Sequence, residues 1–324
     1  MTDEDTTPQP THDDFDEFEY VDDIARALDI ASPLRPRRLT HEFAGGTISA
    51  LAWGDEPPLV TYLHGAGLNA HTFDTTIIAA GVPALSIDLP GHGDSSWRVD
   101  ADYRPQTIAP AVAEAIAAWT TGPQVLVGQS LGGLTAAAVA AAHPELVAQL
   151  LVVDITPGID PDGGASQIRE FFAGPRDFAS REELLDRAVA FGLGGSRESA
   201  RRGVLLNSRV RPDGRVVWKH HFADLASRAA AGDLPIPSGP ASTTSDSAEV
   251  GAASLVGEAS WHDLAAVRAP ITLLRGDRGF VTEANAAEFG ARVPEASVLA
   301  VASGHNVQED APRDLAALVL SLAQ

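Results

Sequence analysis

One pentapeptide, G-Q-S-L-G at residues 128–132, constrains the fold of this chain more than any other stretch. The apolar run before it, residues 124–127, predicts a buried strand, and the alanine-rich run after it predicts a helix that ends at His143-Pro144. A serine at such a strand-to-helix turn, with glycine two residues away on each side, is the nucleophile-elbow pattern. Larger side chains at the glycine positions would collide with the strand and helix, so the turn holds Ser130 in a strained conformation with its hydroxyl exposed.

The composition limits the classes of protein and partner. A chain of 324 residues fits one large domain, or a core domain with an inserted smaller one. It contains no cysteine, which excludes disulfides, cysteine-ligated metals and thiol chemistry. The net charge of -21, with Lys219 as the single lysine, disfavours nucleic acids and anionic membrane surfaces as partners. The expectation of a small-molecule substrate comes from the motifs, not from the charge. The sequence does not specify the oligomeric state.

The hydropathy pattern gives an expectation for location. No apolar run reaches the roughly 18 residues of a membrane span, and the N-terminus lacks the basic-then-apolar pattern of a signal peptide. We therefore expect a cytoplasmic protein.

Strand and helix patterns alternate along most of the chain. Residues 1–35 are acidic and contain few apolar residues, which predicts a disordered tail. Two β-type runs around Gly45-Gly46 predict a hairpin. Short apolar runs that alternate with helical patterns then predict a mostly parallel, doubly wound α/β sheet, built from residues 36–155 and 265–324. The predicted strands after the hairpin cover residues 59–63, 83–87, 124–129, 150–153, 271–274 and 297–301.

The alternation stops between residues 156 and 264. Helical character at residues 165–173, 181–191, 196–206 and 216–225, without a clear buried strand, predicts an inserted helical cap. Within it, the Ala, Gly, Ser, Thr and Pro of residues 229–260 predict a flexible loop. We expect the larger apolar side chains of the cap to form its own core: Phe171, Phe172, Phe178, Phe191, Trp218 and Phe222.

A serine nucleophile needs a base within hydrogen-bond reach and a carboxylate that orients the base. His305, beside Gly304 and after the last predicted strand, is the best candidate base. Asp154 and Asp277 each follow a predicted strand, and both preserve the chain order Ser, Asp, His. Because the carboxyl ends of parallel strands meet at one edge of a sheet, Ser130, His305 and both acids are expected there. The residues alone leave the choice between the two acids open.

An acyl-transfer reaction also needs backbone donors for the oxyanion. The amide of Leu131, at the start of the helix after the elbow, is one candidate. Ala66, in the loop after the predicted strand 59–63, is the other, because Gly65 and Gly67 let the backbone approach a substrate closely.

Four ordered motifs together resemble the α/β-hydrolase fold superfamily. They are H-G-A-G at residues 64–67, D-L-P-G-H-G-D-S at 88–95, the elbow, and Gly304-His305, and the resemblance runs from about Arg38 to Gln324. One position departs from the pattern, because the family's G-x-x-D acid position, counted from Gly276, holds Gly279. The segment at residues 152–157 resembles relatives that take their acid after strand six. The resemblance therefore favours Asp154 as the orienting acid, with Asp277 as the alternative.

The resemblance also implies an activity. Epoxide hydrolases and haloalkane dehalogenases of this superfamily carry aspartate at the elbow, which Ser130 argues against. Serine-bearing relatives suggest a hydrolase that cleaves a small ester or related acyl substrate through an acyl-enzyme, with no metal or cofactor. Alternatives are a C–C bond hydrolase or perhydrolase-type activity on the same triad, or a non-catalytic small-molecule receptor on this fold.

Overall fold

An eight-stranded sheet forms the centre of the computed structural model, which describes residues 15–160, 174–191, 196–231 and 257–324. Its strands are β1 Pro36–Phe43, β2 Gly46–Trp53, β3 Val60–Leu63, β4 Ala84–Asp88, β5 Gln124–Gln129, β6 Val147–Val153, β9 Ile271–Gly276 and β10 Ser297–Val301; a separate two-stranded sheet pairs β7 Ser208–Val210 with β8 Val216–Trp218. The order in the large sheet is β1-β2-β4-β3-β5-β6-β9-β10. β2 runs antiparallel to β1 and β4, and all other neighbours are parallel.

Helices cover both faces of this sheet, which confirms the predicted α/β class. Alternate side chains of β5 point into different layers: Leu126 packs in one apolar cluster, and Val125 and Val127 in the other. The helices are α1 Val21–Ala27, α2 Asp74–Ala80, α3 Pro105–Trp119, α4 Leu131–Ala142, α5 Arg181–Ala190, α6 Arg197–Leu206, α7 His221–Ala231, α8 Glu258–Ala266, α9 Glu283–Arg292, α10 Val307–Asp310 and α11 Pro312–Leu322. The first cluster includes α3, α4 and α8, and the second includes α1, α2 and α11. Near-continuous apolar strands are expected for a sheet buried on both faces.

Part of the predicted tail is folded. Residues 1–14 lie outside the described residues, but α1 buries Val21 and Ile24 in the second apolar cluster, in contrast to the disorder predicted for residues 1–35. Glu17 pairs with Arg38 and lies 3.2 Å from the His71 ring. Burial by itself would raise the pKa of Glu17, but hydrogen bonds from Arg38 and His71 hold it well below its usual range. This part of the acidic segment can pack against the core because Arg38 and His71 of the core bind the Glu17 carboxylate.

The inserted region is not purely helical. α5 and α6 match predicted helices, whereas residues 216–218, predicted as helix, form the strand β8. Strands of three residues are too short for a period-two pattern, and β8 is supported by a bridge from Phe178 to Val216. Phe178 and Trp218 lie in a separate apolar cluster of the inserted region, as expected, whereas Phe222 packs against the main core. Residues 165–173 and 232–256 of the predicted cap lie outside the described residues.

None of the helices within the described ranges is long and apolar enough to span a lipid bilayer.

Candidate active site

Four parallel strands bring distant parts of the chain to one edge of the sheet. Gln129, the last residue of β5, is in register with Val153 of β6, and Val153 is in register with Leu274 of β9. Ser130 and Asp154 therefore follow neighbouring strands at the same end of the sheet. A backbone hydrogen bond from Ser130 N to Val153 O (3.1 Å) extends the pairing of the two strands to the elbow. β10, which precedes His305, ends beside Gly276.

The elbow has the strained geometry that its sequence predicts. Ser130 has φ 53° and ψ −122°, a conformation that costs a non-glycine residue about 1–3 kcal/mol. A Cβ at Gly128 would lie 2.2 Å from the carbonyl oxygen of Gly132, and a Cβ at Gly132 would lie 2.1 Å from that of Leu63. The close approach of β5, α4 and β3 therefore requires glycine on both sides of Ser130.

Asp154 contacts the ring of His305. Its Oδ2 lies 2.8 Å from Nδ1 of His305, and its side chain is completely buried. The same carboxylate accepts hydrogen bonds from the backbone N–H of Gly276 (3.0 Å) and of Phe280 (2.7 Å). A carboxylate accepts, so Nδ1 of His305 carries the proton and Nε2 presents a lone pair. This is the tautomer that a general base requires.

Asp277 is placed differently. Its Oδ1 accepts from the backbone N–H of Ser303 (3.0 Å) and from Arg278 Nη1 (3.0 Å), and 47% of its side chain is exposed. Its described hydrogen bonds do not include the ring of His305. The alternative acid of the sequence analysis therefore lies outside the Asp154–His305 pair.

Gly279 explains how Asp154 fits at this edge. It stands at the position where the family pattern expects an acid, and a Cβ there would lie 2.3 Å from both carboxylate oxygens of Asp154. The space beside the His305 ring that a side chain at position 279 would enter is filled by the carboxylate from the end of β6. The glycine at the acid position of the G-x-x-D turn therefore makes room for the aspartate that follows β6.

Two further residues hold the His305 ring. Phe280 stacks on it with 3.6 Å between ring centroids and 11° between planes. The Gln129 side-chain Nε2 lies 2.9 Å from Nε2 of His305, and because an amide nitrogen only donates, the ring nitrogen accepts. Among the described residues, Ser130 Oγ makes no hydrogen bond to this ring. The Gln129 amide therefore occupies the Nε2 lone pair that would accept the Ser130 proton. The sequence analysis missed this role of Gln129, although the residue stands next to Ser130 in the elbow.

The loop after β3, residues 64–69, lies against the elbow and carries Ala66. A Cβ at Gly65 would be 3.2 Å from that of Ser130. The Gly65 carbonyl accepts from Nδ1 of His64 (2.8 Å) and from Leu68 N (3.2 Å), and because the peptide is trans, the Ala66 N–H of the same unit points the opposite way. Within the described chain, neither the Ala66 nor the Leu131 amide donates a hydrogen bond.

His64 has a structural place in this loop. Its Nε2 accepts from Leu89 N (3.0 Å), which leaves Nδ1 as the donor to Gly65. Burial lowers the pKa of His64 to about 4, so the ring is neutral near pH 7 and can accept and donate at once. The histidine of the H-G-A-G motif thus orients the peptide of Ala66.

Comparisons with known proteins identify the family of this chain. The model of the alpha/beta hydrolase family matches residues 62–318. The esterase Rv0045c of Mycobacterium tuberculosis is 36% identical over 316 residues, which is 94% of each chain. A solved structure of that protein superposes with a TM-score of 0.75 and covers 94% of this chain and 97% of its own.

A shorter similarity concerns a different protein. Pimeloyl-[acyl-carrier protein] methyl ester esterase of Neisseria meningitidis is 43% identical over 93 residues, or 28% of this chain and 34% of its own length.

Proposed function

The chain belongs to the alpha/beta hydrolase family, and we propose that it hydrolyses a small carboxylic ester through an acyl-enzyme formed on Ser130. The observation that carries the proposal is the bond from His305 Nδ1 to the buried Asp154 carboxylate, which leaves the Nε2 lone pair next to a strained serine elbow. The similarity to an esterase along 94% of the chain supports an ester as the substrate class.

The proposed acylation step uses three side chains and two backbone amides. Ser130 Oγ attacks the ester carbonyl carbon while His305 Nε2 takes the hydroxyl proton, and Asp154 stabilises the imidazolium that forms. The amides of Ala66 and Leu131 donate to the oxyanion of the tetrahedral intermediate. The intermediate then releases the alcohol, which receives the proton from His305, and the acyl group stays on Ser130.

Deacylation repeats these roles with water. His305 takes a proton from a water molecule, whose oxygen attacks the acyl carbon, and the same amides donate to the second oxyanion. The intermediate collapses to the free acid, and Ser130 Oγ regains its proton from His305. The ester and one water molecule are the two reactants that these steps consume.

Gln129 adds a requirement to this sequence of steps. Its amide engages Nε2 of His305 at 2.9 Å, so Ser130 must replace Gln129 on this nitrogen before the proton can move. Hydrogen bonds of a catalytic site are often loose without substrate and tighten in the complex. We therefore propose that ester binding is accompanied by a shift of the Gln129 side chain.

A panel of p-nitrophenyl esters from acetate to octanoate tests the function. We expect turnover by the wild type and a loss of at least about 10³-fold in kcat for Ser130→Ala, since a lost nucleophile removes the covalent route. Ser321→Ala, an exposed serine of α11, is the matched control and should keep wild-type rates. A fluorophosphonate should label Ser130 alone. Equal turnover by wild type and Ser130→Ala, with no label on Ser130, contradicts the proposal.

A further inference from the structure

The base of a hairpin in the cap (residues 156–264) connects two loops of the core. The hairpin consists of β7 and β8, and the residues that flank it, Asn207 and Lys219, are joined by a backbone bond from Lys219 N to Asn207 O (2.9 Å). Each flank contacts a different loop at the carboxyl edge of the large sheet. The base of the hairpin therefore spans the loop after β3 and the loop after β4.

The Asn207 flank is bonded to the loop that carries Ala66. Asn207 Nδ2 donates to the carbonyl oxygen of Gly67 (2.5 Å), and Asn69 Nδ2 donates to the carbonyl oxygen of Leu206 (3.1 Å). Both asparagine side chains are buried, with 7% and 6% of the residue surface exposed. The two bonds run in opposite directions between the same two segments, so they fix both the distance and the orientation of the loop relative to the cap.

The Lys219 flank is attached to the core independently. His221 N donates to the carbonyl oxygen of Gly91 (2.8 Å), and its ring Nδ1 lies 2.7 Å from the Tyr103 hydroxyl. Lys219 Nζ lies 3.1 Å from Asp94 Oδ1, and Trp97 stacks on the His221 ring. Loss of the Asn207 side chain would therefore leave the cap docked on the loop after β4.

Ala66 stands between two glycines, and Gly67 has φ 75°, a conformation open to glycine at no steric cost. The backbone of such a loop has many accessible conformations, so hydrogen bonds from outside must select one. On the Gly65 side, His64 and Leu68 N supply them. On the Gly67 side, the described donor to the carbonyl is Asn207.

We propose that Asn207 of the cap is a positioning residue for the oxyanion hole, which holds the Gly67 carbonyl and thereby keeps the Ala66 N–H aimed at the reacting carbonyl. The inference rests on the proposed ester hydrolysis and on the oxyanion role of Ala66. It assigns to the cap a part in the chemical step, carried by a residue about 140 positions away in the chain.

The expected kinetic signature follows from where the oxyanion donor acts. The donor binds the tetrahedral species more strongly than the ester, so its misplacement lowers kcat and leaves KM nearly unchanged. Removal of one oxyanion donor typically costs about 10²–10³ in kcat, and a loosened loop that still samples the right position costs less. We expect a decrease in kcat of about tenfold or more for Asn207→Leu, which removes the donor at similar side-chain size.

Four variants test the assignment on p-nitrophenyl acetate, with phenylboronic acid as a probe that forms a tetrahedral adduct with the serine. Asn207→Leu should lower kcat and weaken phenylboronic acid binding by similar factors, while KM changes less than twofold. Asn207→Gln keeps an amide donor and should restore part of kcat. Asn69→Asp loses the amide that donates to the Leu206 carbonyl but keeps an oxygen that accepts from the His71 N–H. If Asn207→Leu does not fold, this variant tests the same connection between the hairpin and the Ala66 loop. Lys219→Met, which loses only the contact with Asp94, is the control and should retain wild-type kcat.

The outcomes separate this inference from the proposed function. A folded Asn207→Leu or Asn69→Asp with kcat within twofold of wild type, or with a loss of kcat but no loss of phenylboronic acid affinity, overturns the positioning role. Turnover that survives Ser130→Ala overturns the esterase mechanism itself, whatever the Asn207 variants do.

Discussion

The ends of β6 and β9 lie side by side, and each is followed at once by an aspartate with a different fate. Asp154 after β6 is completely buried, receives two backbone N–H groups and contacts His305. Asp277 after β9 is half exposed and accepts from Arg278 and Ser303. The comparison teaches that the residue type and its place after a strand do not make an orienting acid. What distinguishes Asp154 is that its carboxylate is buried beside the imidazole and accepts hydrogen bonds from the ring and from two backbone amides.

The backbone at the two strand ends contributes to this difference. Asp154 has φ 48°, which costs about 1–3 kcal/mol for a non-glycine residue. Hydrogen bonds to a charged group contribute roughly 1.5–3 kcal/mol each, so the three donors to Asp154 offset the strain. The positive φ turns the carboxylate into the space left by Gly279.

The largest expected effect separates the two acids directly. Asp154→Asn should lower kcat on a p-nitrophenyl ester by about 10⁴, because an amide no longer holds the base tautomer of His305. Asp277→Asn keeps an acceptor for Ser303 N and should change kcat less than twofold. Urea denaturation of both variants checks that each is folded. A larger loss of kcat for Asp277→Asn would transfer the orienting role to the end of β9.

The next effect concerns the space that Asp154 fills. Gly279→Ala places a Cβ 2.3 Å from both carboxylate oxygens, so we expect a loss of stability of about 1–3 kcal/mol, as for overpacked interiors, and a marked decrease in kcat. Gly290→Ala in α9 is the matched control, because its Cβ meets no atom within 4 Å. There alanine should stabilise the helix by up to about 1 kcal/mol. Equal behaviour of the two variants in urea denaturation and turnover would contradict the packing account.

A transplant of the acid sharpens the comparison further. In the background of Asp154→Ala, we expect Gly279→Asp to raise kcat by about tenfold, or roughly 1.4 kcal/mol of barrier, since the new carboxylate enters the space vacated beside His305. Gly290→Asp in the same background supplies a carboxylate on a helix surface and should restore nothing. Turnover of the double variant that stays at the level of Asp154→Ala would show that the backbone after β6 is itself required.

The smallest effect concerns the exposed acid. Asp277→Ala removes the acceptor of Ser303 N and the pair with Arg278, and we expect a decrease of about 1 kcal/mol in the free energy of unfolding. Arg278→Ala removes only the exposed ion pair, which is worth about 0–1 kcal/mol. Neither variant should alter kcat by more than twofold. Destabilisation by Arg278→Ala that exceeds that of Asp277→Ala would indicate a different role for this turn.

Local patterns predicted most of the sheet and the elbow. The runs that became β3, β5 and β6 are apolar because both faces are buried, and the glycines around Ser130 follow from a turn whose contacts lie within a few residues. The preference for Asp154 came from resemblance, since both acids satisfy the chain order.

Features that depend on distant partners were missed. The folded part of the acidic N-terminal segment requires Arg38 and His71, and the short strand β8 requires Phe178. Gln129 is engaged by a ring 176 positions further along, and Asn207 by a carbonyl about 140 positions before it. The position of Gln129 beside Ser130 does not reveal its partner, and nothing near Asn207 in the sequence marks that residue, because these donors and acceptors become partners only when the chain is folded.

The amino-acid sequence by itself determined the chain order of the strands of the large sheet, the bend that presents Ser130, and the edge at which Ser130, Asp154 and His305 meet. These depend on hydropathy period, glycine and chain direction, which are local properties. The tertiary structure decided which aspartate reaches His305, what occupies the free nitrogen of that ring, and which side chain of residues 156–264 touches the Ala66 loop. Those outcomes depend on burial and on hydrogen bonds between residues that are remote in the sequence. Such bonds stabilise the fold only after packing has excluded the water that would otherwise bond to the same groups.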